Sequence, residues 1–509
     1  MKENNLKNIL RNSVLLGMLF FQFTAFSQSD IITIQPEQQK QTVTFGGDAK
    51  LTIKDYAEGN TASVSNKLFG DMNLKVLRVP IFALQPISNG IYDNVITVIN
   101  AVKAVNPNVK IFASIANGDG YGTDYHGAAK FPSGWRGCCS YNVYSLNLTT
   151  YAAYLDSFMD RMSAANITID YLGPYNEDPG DDSDYLKISN QMTKLGNTKI
   201  FGLERWGLLT SIAEVDDLED RTDFIGSHFY DDGTIPEADW DAKWGELVTA
   251  SADPVWYTEA TRYSTNDNIG NLIAGIDNIF PAIRGGAEGV IFYQVCKRFV
   301  YANGSAQPIK YSGFKNIVNN AEGKVIASNS TNGNIKVVVF GNESTLDVHI
   351  INKNATDNTV NLQLQNSYLG SGTVTQKIWT SSATGQSSTY SLSSEANWDI
   401  VVPANSYSHH KITLNKPLLG LKDASSKSNS VIKITPNPSS NGHFKLQLPE
   451  HTTEEKVVLK MFSLEGKEVF SEVKKYEQNL SIDTKLPSGL YLLSVTIAEK
   501  TYHTKVIVK

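Results

Sequence analysis

Two glutamates stand where the chain can support acid–base and nucleophilic chemistry. Glu177 ends the segment Leu172-Gly173-Pro174-Tyr175-Asn176-Glu177, and Glu259 ends Trp256-Tyr257-Thr258-Glu259. Each follows a short apolar run of the kind that forms a buried strand. Two carboxyl groups facing each other across a pocket suit cleavage of a glycosidic bond. One protonates the leaving oxygen, and the other attacks the anomeric carbon or activates water. Their surroundings must then separate their pKa values. The expected roles are acid/base for Glu177 and nucleophile for Glu259. Asn176 is placed to meet a sugar 2-hydroxyl. Arg78 and Tyr230 are candidates to hold Glu259 ionised, because cationic and hydrogen-bonding neighbours favour the charged form. Glu204 is expected to pair with an arginine. Trp135, Trp206, Tyr121 and Tyr141 can stack on sugar rings or pack in the core.

Such residues need strands to aim them. From 44 to 320, short apolar runs alternate with longer segments of helical spacing. Eight runs read as buried parallel strands: Val43–Gly46, Val76–Ile81, Lys110–Ile115, Ile167–Gly173, Lys199–Leu203, Phe224–His228, Val255–Thr258 and Gly289–Tyr293. Val95, Ile99, Val102 and Val105 mark one intervening helix, and Tyr151, Tyr154, Leu155, Phe158 and Met162 another. Eight such units predict a (β/α)8 TIM barrel of about 250 residues, whose reactive groups sit at the carboxyl ends of the strands. A doubly wound open sheet competes, but it calls for a Gly-rich phosphate turn, and Phe45-Gly46-Gly47-Asp48 offers a lone glycine pair. Residues 321–415 alternate apolar and polar positions between Asn, Gly, Ser and Thr turns, which predicts an appended β-sandwich. Residues 31–43 form a strand expected to join it. A Ser- and Lys-rich stretch, 416–430, reads as a linker. Residues 431–509 read as a small all-β domain.

Composition narrows the partners. The 509 residues carry a formal charge of −7, with 41% hydrophobic and 19% charged residues. That balance predicts folded domains and no nucleic-acid partner. Residues 1–27 combine Lys2, Lys7 and Arg11 with an apolar run, the pattern of a signal peptide. No segment reaches membrane-spanning length. The three cysteines, Cys138, Cys139 and Cys296, supply no metal-ligand spacing, and Cys296 is expected to be buried and free. His409 and His410 are expected at the surface of a strand. Neither a metal nor an organic cofactor is called for, and a monomer is expected.

Together the motifs resemble the retaining glycosidases whose acid/base Glu follows an Asn on the fourth barrel strand and whose nucleophilic Glu ends the seventh. Asn176-Glu177 and Thr258-Glu259 match those signatures. Phe45-Gly46-Gly47, Leu77-Arg78-Val79-Pro80, Ser227-His228-Phe229-Tyr230 and Trp256-Tyr257-Thr258-Glu259, in that order, are similar to glycoside hydrolase family 30. The resemblance covers 31 to about 415. It implies a secreted retaining β-glycosidase acting on a polysaccharide, with Asn176, Arg78, His228, Tyr230, Trp135, Trp206 and Arg298 around the substrate. Endo-action on xylan is preferred, because Lys297 and Arg298 follow the eighth strand and could meet an acidic substituent. β-1,6-Glucan, galactan and algal galactan stay open, as does a catalytically silent glycan-binding surface protein. Asp178 stands between Glu177 and Pro179, where the family pattern runs Asn-Glu-Pro. Residues 431–509 resemble the sorting domain of type IX secretion through Ile434-Thr435-Pro436-Asn437-Pro438 and Leu486-Pro487-Ser488-Gly489-Leu490-Tyr491. That resemblance implies the type IX machinery as a partner and a secreted or surface-attached product.

Overall fold

The computed structural model describes residues 29–121, 129–135, 146–177, 182–218, 222–342, 345–365, 372–392, 397–414, 432–440, 442–448, 456–463, 467–498 and 500–509. The expected leader, the linker, Cys138, Cys139, Tyr141 and Asp178 lie outside them. The chain divides into two compact units on either side of Leu421.

In the first unit, β1 (Asp30–Gln39) precedes a closed parallel barrel. Its strands are β2 (Thr44–Asp48), β3 (Val76–Ile81), β4 (Lys110–Ile115), β5 (Tyr171–Gly173), β6 (Lys199–Arg205), β7 (Phe224–Ser227), β8 (Val255–Ala260) and β9 (Gly289–Tyr293). The eight apolar runs of the sequence thus form the predicted barrel. β5 begins later than its apolar run. The Asp170 carboxylate takes the Ile111 N–H at 2.9 Å, which a longer strand's carbonyl would have accepted. The helices bury the faces their spacing predicted. Val95, Ile99 and Val102 are buried in Ile91–Val105, and Tyr151, Leu155, Phe158 and Met162 in Leu148–Ala164.

The barrel interior is layered. Val76, Phe112, Phe201, Trp256 and Ile291 form a separate buried cluster, with Tyr171 and Phe224 packed on it. Phe112 stacks on Phe201 with centroids 4.4 Å apart, and Phe201 on Phe224 at 4.9 Å. This aromatic floor excludes water from beneath the next layer. The Arg78 guanidinium lies over the Phe112 ring, 5.2 Å from its centroid. A charged layer therefore rests directly on an apolar one, where cation–π attraction favours arginine.

Two glycines make room for that charged layer. A Cβ on Gly173 would fall 2.0 Å from Glu204 Oε2, and one on Gly226 would fall 2.8 Å from Glu204 Cγ. Glu204 is turned inward by an irregularity between Leu203 and Arg205 on β6, where Leu203 and Glu204 have φ of 61° and 50°.

Beyond the barrel come β10 (Lys324–Ser330), β11 (Ile335–Gly341), β12 (Thr345–Asn352), β13 (Asn358–Leu364), β14 (Gly372–Trp379), β15 (Thr384–Leu392), β16 (Asn397–Val402) and β17 (Ser406–Leu414). With β1 they form one nine-stranded sheet in the order β15-β14-β17-β12-β11-β10-β1-β13-β16. Residues near both ends of that order, such as Val374 and Val402, share one core with Ile32 and Val348. The sheet therefore folds over itself as a sandwich. β1 lies antiparallel to β10 and parallel to β13.

One expectation is overturned here. His409 and His410 are buried, at 2% and 0% exposure. β17 is an inner strand with both faces covered. Tyr407 packs into the barrel core and Ile412 into the sandwich core. Strand alternation puts His409 on the first face and His410 on the second. Cys296 is buried and free, as expected.

The second unit contains two sheets. β18 (Lys433–Thr435), β19 (His443–Gln447) and β22 (Asn479–Asp483) form one. β20 (Lys456–Phe462), β21 (Glu468–Lys475), β23 (Gly489–Ile497) and β24 (Lys500–Val508) form the other. They share a core that includes Phe444, Leu459, Leu480 and Val495. No described helix is long and apolar enough to cross a membrane.

Candidate active site

The carboxyl ends of the barrel strands bring the two glutamates together. Glu177 follows β5, and Glu259 lies in β8. One oxygen of each, with a ring nitrogen of His228, lies within 4.8 Å of the others. Glu177 has φ of 59°. Its N–H donates to the Glu204 carbonyl at 2.9 Å, which holds this sparsely populated backbone conformation.

Glu259 is 4% exposed and has a partner on each oxygen. Arg78 Nη1 donates to Oε1 at 2.5 Å, and Lys50 Nζ reaches the same oxygen at 3.0 Å. The Tyr230 hydroxyl donates to Oε2 at 2.9 Å, and His228 Nδ1 lies 3.6 Å from that oxygen. Burial alone would push the Glu259 carboxyl up. His228, Lys50 and Arg78 outweigh burial and hold it well below the usual carboxylate range.

His228 is fully buried, and its Nδ1 lies 3.2 Å from Glu177 Oε1. Its Nε2 is buried and has no hydrogen-bond partner among the described residues. Nδ1 is therefore the ring nitrogen that faces the two carboxylates. Burial raises the Glu177 carboxyl, but the His228 hydrogen bond overrides this and leaves Glu177 below its ordinary value.

Arg78, 0% exposed, organises the layer beneath. Nη1 also donates to Asp48 Oδ2 at 2.9 Å. Nη2 donates to Asn176 Oδ1 at 2.6 Å, to Ser114 Oγ at 3.1 Å and to Glu204 Oε1. Burial would lower the guanidinium pKa, but Glu204, Glu259 and Asp48 raise it instead. Lys50 donates to Asn176 Oδ1 as well, at 2.8 Å. With Oδ1 taken by two cations, the Asn176 NH2 is the end left to donate elsewhere. Asp48 is pushed up to about 6, mainly by burial and against the pull of Arg78 and Lys50.

The remaining candidates are more dispersed. Trp206 is 43% exposed and stacks on Tyr230 with centroids 5.6 Å apart. It thus extends the aromatic surface that begins beside Glu259. Trp135 is half-buried and packs against Tyr154 at 5.1 Å and Tyr151 at 6.1 Å. Arg298 donates to the Thr261 carbonyl at 2.9 Å and lies over the rings of Tyr293 and Tyr263. Among the described residues, the hydrogen bonds and ring contacts of Trp135 and Arg298 go to neighbours other than the two glutamates. Tyr121 is exposed and donates to Asn89 Oδ1 at 2.6 Å.

Sequence reasoning missed Lys50 and Asp48. Asp48 ends β2 and Lys50 lies two residues on, so the strand-end rule that found Glu177 would have found them. For chemistry, the Phe45-Gly46-Gly47-Asp48 stretch was weighed only as a phosphate turn, and rejected as one. A cluster of two carboxylates and an imidazole resembles a cation site, but Lys50 and Arg78 already occupy Glu259 Oε1 with positive charge. We therefore assign no metal here.

With this geometry in hand, solved structures supply the relatives. A family 30 endoxylanase from Clostridium papyrosolvens C71 matches with a TM-score of 0.59 and 16% identity, over 75% of this chain and 100% of its own. The family 30 subfamily 8 xylanase of Clostridium acetobutylicum matches at 0.57 and 15%, over 75% and 99%. The chain has the fold of glycoside hydrolase family 30. An endo-β-1,6-glucanase with the same fold matches at 0.52 and 15%, over 76% and 94%. Residues 433–509 match the family described as the secretion system C-terminal sorting domain. That domain marks the chain for type IX export, so the protein is secreted or attached to the cell surface. Comparison with curated proteins gave no match.

Proposed function

We propose that the protein is a retaining β-glycoside hydrolase that cleaves a polysaccharide outside the cell, with Glu259 as nucleophile and Glu177 as acid/base. The observation that carries this reading is that one oxygen of each carboxylate lies within 4.8 Å of the other, with Glu259 held ionised from both sides. Retaining glycosidases keep their carboxyl groups about 5–5.5 Å apart, and inverting ones about 6.5–9.5 Å.

In the first step an oxygen of Glu259 attacks the anomeric carbon. The bond to the leaving sugar breaks, its electron pair goes to the departing oxygen, and Glu177 gives that oxygen its proton. In the second step Glu177 takes a proton from water, whose oxygen attacks the same carbon and returns the ester electron pair to Glu259. The Glu259 charge and a sugar that displaces water both favour neutral Glu177 before the first step. Esterification removes that charge and readies Glu177 to act as a base. Asn176 presents its NH2 to the 2-hydroxyl, and Trp206 offers a ring for a sugar to stack on.

Xylan is the preferred substrate, from the two xylanases among the relatives. Arg298 suits an acidic substituent on it. β-1,6-Glucan and galactan are the competing substrates. Assaying the wild type, E177Q and E259Q on these three polysaccharides tests the reading. E177Q should lose about 10²–10⁴-fold in kcat, and E259Q at least as much. Binding without cleavage by the wild type would make the protein a silent glycan-binding surface protein instead.

A further inference from the structure

We propose that Lys50 is a positioning residue: its ammonium, carried on a turn that Asp48 closes, holds the Glu259 carboxylate and the Asn176 amide in their working arrangement. This rests on the glycosidase reading above. Lys50 is 2% exposed in the floor of the site. Lysine is almost never fully buried unless paired. Its Nζ meets two side-chain oxygens among the described residues, Glu259 Oε1 at 3.0 Å and Asn176 Oδ1 at 2.8 Å.

Arg78 touches the same two oxygens but is also tied to Asp48, Glu204 and Ser114. Arg78 therefore serves the barrel interior as well as the site. Lys50 serves the two groups alone. Asp48 fixes the Lys50 main chain beside Arg78, because Oδ1 accepts the Lys50 backbone N–H at 2.8 Å while Oδ2 accepts from the Arg78 guanidinium. The turn after β2 is thereby closed so that the lysine side chain comes back over the barrel mouth.

The charges around Glu259 make Lys50 consequential. Asp48 from β2 and Glu177 after β5 oppose its ionisation. Tyr257 from β8 and Tyr293 from β9 lie near it as neutral phenols, and Lys130 acts on Glu177. Lys50 and Arg78 are its cationic contacts, the Tyr230 hydroxyl donates to it, and His228 Nδ1 lies 3.6 Å away. Without Lys50, the one cation left on Glu259 faces two other carboxyl groups.

The test uses the full chain carrying K50M, which keeps length and loses charge, and K50R, which keeps charge. Two readouts are followed. One is the pH titration of the Glu259 ¹³Cδ signal in glutamate-labelled protein, assigned with E259Q. The other is the pH profile of kcat/KM on whichever polysaccharide the wild type cleaves. K50M should move the carboxyl midpoint and the acidic limb upward by about one pH unit and lower kcat more than it raises KM. K50R should stay close to the wild type. If K50M does not fold, K50Q replaces it. A packing role alone would lower the melting temperature and leave both midpoints in place, which would overturn the proposal. The carboxyl titration decides the matter even if the wild type cleaves no glycan, an outcome that would sink the glycosidase reading separately.

Discussion

Glu259 carries four contacts on its two oxygens, and each contact has its own consequence. The Tyr230 hydroxyl is the simplest to remove. A hydrogen bond to a charged group is worth about 1.5–3 kcal/mol. Tyr230→Phe should therefore lower kcat/KM by about 10–100-fold, read directly in steady-state kinetics. His228 acts on the other carboxyl. It holds Glu177 below its ordinary value, so the free enzyme loses the acid's proton at low pH and the kcat/KM optimum should be acidic. His228→Gln removes that pull. The alkaline limb of the profile should then move to higher pH. An unmoved limb would mean that His228 does not set the Glu177 proton. Both glutamates were legible in the sequence because strand ends after apolar runs are few. Lys50 was passed over although it lies two residues beyond the end of β2, because a lysine after a strand end reads as solvent-exposed until the barrel closes over it.

The strands were equally legible as elements, since buried parallel strands are near-continuous apolar runs. What the runs did not reveal was the irregularity at Leu203–Arg205 that turns Glu204 into the barrel. Alternation along a regular β6 would have assigned that carboxylate a different face. Gly173 and Gly226 are its complements, and their role depends on a residue far away in sequence. Gly173→Ala would place a methyl against Glu204 Oε2. Glu204 must then shift and weaken its hold on Arg78. Overpacking of this kind costs about 1–3 kcal/mol, measurable as a lower midpoint in denaturant. Wild-type stability in Gly173→Ala would show that Glu204 has free space after all.

Across the first unit as a whole, the sandwich shares an interior with the barrel that composition did not disclose. His349, His409 and His410 each have a pKa lowered to about 3, chiefly by burial. Their unfolded value is near 6.5. The unfolded chain therefore binds protons that the folded one refuses between about pH 6.5 and 3. The stability these residues contribute is complete above pH 6.5 and is lost progressively as the pH falls. His410→Leu should remove close to one proton from that linkage, or about 1.4 kcal/mol per pH unit. Melts at pH 7, 6 and 5 would show a shallower fall than in the wild type. The central claim, however, concerns what the carboxylate pair does to a glycan. The most direct measurement is the configuration of the first sugar released, followed by ¹H NMR as xylan, β-1,6-glucan or galactan is cleaved. The two-step route predicts that the β-anomer appears first and the α-anomer only by later mutarotation. Early α-anomer would assign the pair to single displacement and remove Glu259 as nucleophile.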